Sequence, residues 1–265
     1  MMRKTWLAAI AAAGLVTLPA FSQDAAPEIR SFDIPTLEKL GHDMYIQDEA
    51  AWHATDALMV VHPAAEMQKE KVAGWIVEDR PGGELVRFVR ESDAGPEAAY
   101  DVAVTTGKPV VSTPSDRHLT DGEKAQFSAR SLALKSITQK CGDNYNTIVL
   151  KDPQGNGWLA WALAASTNPD LVMAGGHHRL TVSADGSRVE RMDALSRTCA
   201  VMSKAAENGR RPVALMETQL VSNLPVETFV FLNLQHHMPI VVVTPDRTAW
   251  GIIDGKIAKM DLSKH

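Results

Sequence analysis

The chain has 265 residues, a formal charge of −5 at pH 7, 45% apolar residues and two cysteines. That apolar content excludes long disorder. The acidic balance removes any electrostatic drive toward nucleic acid or an anionic membrane surface. Two cysteines are too few for a disulfide-stapled mini-protein or, alone, for a structural zinc site.

The first element in chain order is a signal segment. Met1-Met2-Arg3-Lys4 carries positive charge, "TWLAAIAAAGLVTLPA" is an apolar core broken by Pro19, and Ala20-Phe21-Ser22 supplies small residues at the −3 and −1 positions. This pattern predicts a secretory signal peptide over 1–22, cut after Ser22. A membrane anchor is the competing reading, but the run is short for the ~20 residues a span requires. The expected location is the periplasm or the exterior, with no membrane segment after cleavage. The mature chain, 23–265, is long enough for one α+β domain or for two similar halves meeting near 113–119. Export also predicts that Cys141 and Cys199 are bonded to each other rather than buried as inert thiols. On the chain-entropy model such a bridge is worth roughly 4 kcal/mol.

After an extended lead-in, Pro35 marks a helix start. Leu37, Leu40, Met44, Ala51 and Leu58 form one apolar stripe, which predicts a long helix over 35–59. A hairpin follows around Pro81-Gly82-Gly83, then a strand turning at Thr106-Gly107. Thr120 or Asp121 opens a second helix in "LTDGEKAQFSARSLALKSITQK". The rest reads as strands: hairpins at "PQGNG" and at Asp185-Gly186, then "PVALMETQLV", "VETFVFLNLQ", "IVVVT", "TAWGII" and "KIAKMD". Residues 194–208 fit helix or strand equally. The expected fold is therefore α+β: antiparallel β-meander sheets with a long N-terminal helix and a mid-chain helix packed against them.

Three stretches, "LGHDMYIQDEAAWHATDAL", "GGHHRLTVSADG" and "VETFVFLNLQHHMPI", resemble a family of uncharacterised exported bacterial proteins over most of the mature chain. The resemblance implies no activity and assigns no catalytic residue.

Several residues are odd enough to be candidates. If 172–183 and 226–238 are strands, adjacent side chains point to opposite faces. His178 and His236 then face inward with Leu180, Val182, Leu232 and Leu234, while His177 and His237 face outward. His178 and His236 are the metal candidates, although a buried neutral histidine bonded to backbone is the blander reading. Asp48 and Asp56 fall along the apolar side of the first helix and require partners, with Arg87, Arg90 or Arg179 as the expected ones. His42, Glu49 and His53 share the polar face of the same helix, without the order of a zinc hydrolase. Asp152-Pro-Gln-Gly-Asn-Gly holds a single carboxylate and reads as a turn. Nucleophile elbow, P-loop and dinucleotide motifs are all absent from the sequence.

The favoured expectation is a non-enzymatic protein of the cell envelope binding a protein partner or a small ligand, with His178, His236, Arg179, Asp48 and Asp56 as candidate contacts and no cofactor. The alternative is a metal-dependent hydrolase or metal-handling protein holding zinc through His178 and His236.

Overall fold

A computed structural model describes residues 29–206 and 210–261; the expected signal peptide lies outside the described residues. Those residues form a mixed α+β fold of four helices and 14 strands. Helix α1 spans Ile34–Val61. Its N-cap is Asp33, whose carboxylate accepts the Thr36 N–H at 3.0 Å, and Pro35 sits in the first turn, where its missing N–H costs nothing. The whole expected stripe is buried: Leu37, Leu40, Met44, Ala51 and Leu58. At ~1.5–3 kcal/mol for a buried Leu or Met side chain, this stripe rather than helix propensity holds α1 in place. His62 and Pro63 end it, and a short helix α2 (Ala64–Lys69), not foreseen in the sequence, follows.

Strands β1 (Val72–Arg80), β2 (Gly83–Ser92), β3 (Gly95–Thr105) and β4 (Val110–Ser112) form an antiparallel meander in sequential order. Helix α3 (Asp121–Ser136) opens with a complete capping box: Thr120 accepts the Glu123 N–H, and Glu123 accepts the Thr120 N–H. A second antiparallel sheet takes β5 (Tyr145–Lys151), β6 (Trp158–Ala164), β8 (His178–Val182) and β9 (Val189–Ala194) in that order. β7 (Leu171–Met173) leaves this sheet to pair with β10 (Val201–Ser203). The C-terminal sheet holds β11 (Leu215–Thr218), β12 (Ile240–Val243), β13 (Ala249–Ile253) and β14 (Lys256–Lys259). Its β11–β12 pair is parallel, a departure from the all-antiparallel expectation.

The β1-β2-β3-β4 and β5-β6-β8-β9 sheets lie between helices. On one face, α1 buries Ala50, Ala54 and Leu58 against Val77, Val86 and Val102, and Leu40 and Met44 in the cluster that holds Ile148, Leu159 and Trp161. On the other, α3 packs Phe127 against Ile76 and Val89, and Ala125, Ala129 and Ala133 against Val149, Trp158 and Leu180. Both helices therefore cross from one sheet to the other. Edge strands β1 and β5 meet at that seam: Gln126 of α3 donates one amide nitrogen to the carbonyls of Val77 (3.1 Å) and Val149 (3.4 Å).

Two expectations fail here. Residues 227–236 form helix α4 (Glu227–His236), not a strand. Every residue from Glu227 to Asn233 is buried, so the apolar run goes all the way round and carries no readable period. α4 lies against α1 so closely that a Cβ on Gly41 would collide with Val230. Nor is 172–183 one strand. The chain breaks at Gly176, in a left-handed conformation (φ +82°), where any Cβ would strike Cys141. Val172 and Ala174 lie in one core cluster while Leu180 and Val182 lie in another, so alternation does not run through the break. The cause is the bridge itself: Cys141 and Cys199 are bonded, Cα atoms 5.3 Å apart, and only glycine lets the chain pass so near.

Candidate functional site

Arg179, His178, His236 and Asp48 fall into three places, and Asp56 lies outside them. Arg179 belongs to a buried polar node. Its guanidinium is 1% exposed and donates to both oxygens of Glu227 (3.0 Å each) and to Asp193 (3.0 Å). Glu227, fully buried, also accepts the Trp161 indole N–H at 2.8 Å. The lead-in closes the node: Arg30 offers its carbonyl to Arg179 and its N–H to Asp193, and its side chain grips Asp152 at 2.6 and 2.8 Å. Phe32 lies beneath both guanidiniums, 5.0 and 4.8 Å from its ring centroid. This constellation ties β8, β9, α4 and the lead-in together and uses its charges internally.

The histidine pair sits beside the disulfide. His177, expected outward, is 2% exposed. Its Nδ1 accepts the Ala164 N–H at 3.1 Å and its Nε2–H donates to the Met173 carbonyl at 2.8 Å. It precedes β8 rather than belonging to it, so strand parity does not apply. Burial pulls its pKa down to about 4, so the ring is neutral at ordinary pH. His178 is buried as expected and donates to the Gln139 carbonyl at 3.2 Å, and burial lowers its pKa too. His236 lies elsewhere, in the last turn of α4, and His237 caps that helix in a left-handed, exposed conformation. His178 and His236 thus sit in different surroundings, and among the described residues no three His, Cys, Asp or Glu side chains are grouped to hold a metal ion. His53 makes only a surface contact with Glu49 at 3.8 Å. Asp56, expected along the apolar side, is exposed.

Asp48 and His236 meet the third place, a cleft of ≈830 Å³ at the seam between the sheets. α1 supplies Asp48 and Trp52, β1 supplies Trp75, β5 supplies Asn146 and Thr147, and α4 supplies Gln235 and His236. The arginine expected for Asp48 is not there: Arg87 is held by Asp101 and Glu123, and Arg90 by Glu70 and Glu97. A neutral donor replaces it, the Gln235 amide at 2.9 Å. Burial raises the Asp48 pKa to about 6; the Gln235 bond opposes the shift and the Glu49 charge adds to it. Beside it Lys204 donates to His236 Nδ1 at 3.3 Å, which leaves the proton on Nε2. Burial, with the charges of Lys204 and His237, takes the His236 pKa down to about 4.

The walls carry apolar and unpartnered groups together. Trp52 is 56% exposed and stacks on His53, ring centroids 4.9 Å apart. Trp75 has Arg130 over its ring at 4.0 Å. Thr147 Oγ1 is buried without a hydrogen-bond partner, as is Nε of Arg130, which lies outside the cleft in a small neighbouring recess, and burial lowers the Arg130 pKa to about 10. Sequence reading missed Gln235, Lys204, Trp75 and Thr147. None of these stands out in its local pattern; what marks them is convergence from distant segments.

No family model matches the chain, and comparison with curated proteins and with solved structures finds no match either.

Proposed function

We propose that the protein is a binding protein that takes a small polar organic molecule into the seam cleft. One observation carries this reading: polar side chains from α1, β5 and α4 converge on a cleft of ligand size, and one of them, Thr147, holds a buried hydroxyl without a hydrogen-bond partner. Buried polar atoms in a folded protein are normally partnered, so unpartnered ones at a cleft wall point to a molecule that completes them. The cleft is concave and of ligand size, which favours a small ligand over a flat protein partner.

A metal-dependent hydrolase using His178 and His236 has less support. His178 donates to a carbonyl and is not among the cleft-lining residues, while His236 is engaged by Lys204. Stoichiometric zinc in untagged, purified protein would reverse that judgement.

The test is a spectroscopic screen. Five of the six tryptophans lie after the expected cleavage at Ser22, hence five indole N–H signals to follow. Amino acids, dicarboxylates, nucleosides, short peptides and sugars are added in turn. A cleft ligand shifts the Trp52 and Trp75 signals and leaves Trp158 and Trp161 unmoved. A panel that moves neither, or that moves only Trp158 or Trp161, removes the proposal.

A further inference from the structure

The chemistry lining the cleft restricts the ligand class, given the reading that a ligand binds there. Trp52 is the first constraint. A tryptophan more than half exposed on a cleft wall leaves a large apolar face uncovered. The ring stacks on His53 and is 56% exposed, so indole surface remains for a ligand. An indole face is apolar and electron-rich, so it attracts flat or C–H-bearing surfaces whose hydrogens carry partial positive charge.

The second constraint is the kind of polar group present. Gln47, Gln235, Asn146, Ser166 and Thr167 line the cleft. Amides and hydroxyls both donate and accept, as do the hydroxyl groups of a polyol. A purely apolar ligand would leave these groups desolvated without partners, at a cost of about 1–3 kcal/mol each.

The third is charge. Asp48, Glu49 and Lys204 line the cleft, and Arg130 lines a small neighbouring recess that shares Trp75 and Thr147 with it. Two acids against two bases leave no excess to select a strongly charged molecule. His236 contributes an Nε2–H donor rather than a charge.

We propose that the seam cleft is a saccharide site for a neutral sugar of two or three rings, with a C–H face of one ring on Trp52 and its hydroxyls on Asp48, Gln235 and Asn146. The volume, ≈830 Å³, admits a ligand of that size. Asp48 is the strongest acceptor available, since its partner is a neutral amide rather than a cation.

The experiment titrates the full chain with maltose, cellobiose, lactose and chitobiose, following the Trp52 and Trp75 indole signals. At least one disaccharide should saturate these signals, and Trp52→Ala should weaken it about tenfold or more. Trp52→Phe, which restores a ring face, should recover part of the affinity. Trp52 is exposed, so both variants keep the fold, and near-UV circular dichroism checks that. If no disaccharide moves the signals at about 20 mM but an amino acid, nucleoside or peptide does, the saccharide class is wrong and the cleft still binds. Saturation with affinity unchanged in Trp52→Ala also overturns the proposal. Silence from every compound removes the cleft reading with it.

Discussion

The molecule handles polar groups in two opposite ways. In the node around Arg179, two carboxylates and the Arg30 main-chain carbonyl accept from one guanidinium, and the Trp161 indole N–H donates to one of those carboxylates, Glu227. In the seam cleft, Asp48 has a neutral amide in place of a cation, Thr147 has no partner, and Trp52 stands in solvent. Buried charge engaged by opposite charge, as at both terminal nitrogens of Arg179, fixes geometry even with its Nε left unpartnered. Polar and aromatic groups left unmatched at a cleft mark where a further molecule completes them. The contrast implies that variants in the node should harm folding and variants in the cleft should not.

Glu227→Ala gives the largest effect. It removes both bonds at Arg179 Nη1 and leaves the Trp161 N–H without an acceptor, and unfolding in denaturant should show a loss of about 3–5 kcal/mol. A loss under 1 kcal/mol would mean that the node is not the pin described here, and the comparison would collapse.

His177→Ala comes next, at about 2–3 kcal/mol, because the Ala164 N–H and the Met173 carbonyl lose their partner. This histidine also shapes acid stability. Its folded pKa of about 4 lies below the ordinary 6.5, so the unfolded chain binds the extra proton between those values. Its contribution is complete above pH 6.5 and is lost as pH falls toward 4. The variant should lose that part of the slope in a stability–pH series, and an unchanged slope would show that the ring titrates freely.

Asp48→Asn should act in the opposite direction. The Asp48 carboxyl has a folded pKa of about 6 against 3.8 for the ordinary value, so the native state pays for ionisation as pH rises through this interval. The variant should be more stable by about 2 kcal/mol above pH 6 and equal to the parent below about pH 4. Stability lower than the parent at pH 7 would show an unnoticed cationic partner. Trp52→Ala gives the smallest change, within ~0.5 kcal/mol by the same measurement. A larger loss would make Trp52 a packing residue and end the contrast.

Where physical signals are local, the sequence is sufficient. The apolar stripe of α1, the capping box at Thr120, the hairpin turns at Pro81-Gly82-Gly83 and Asp185-Gly186, and the cysteine pairing all depend on residues near in sequence or on simple counting. The α+β class followed from them. Local pattern misled where burial was uniform or the chain was broken. α4 is buried on every side, so Val, Phe and Leu in succession carried β-propensity into a helix. Parity in 172–183 failed because the disulfide crosses at Gly176, and His177 was placed on the wrong side as a result.

The sequence by itself determined where the first two long helices and the hairpin turns lie and which cysteines pair, because periodicity, capping and turn chemistry act over a few residues. Only the tertiary structure decided what Asp48 faces. Its partner Gln235 lies 187 positions away on a helix the sequence disguised. Arg179 likewise met Glu227 at a separation of 48 residues. Such pairings arise from how layers stack. A partner brought in from another layer leaves no mark on the residues around it in the chain, so it can be read only once the sheets have met.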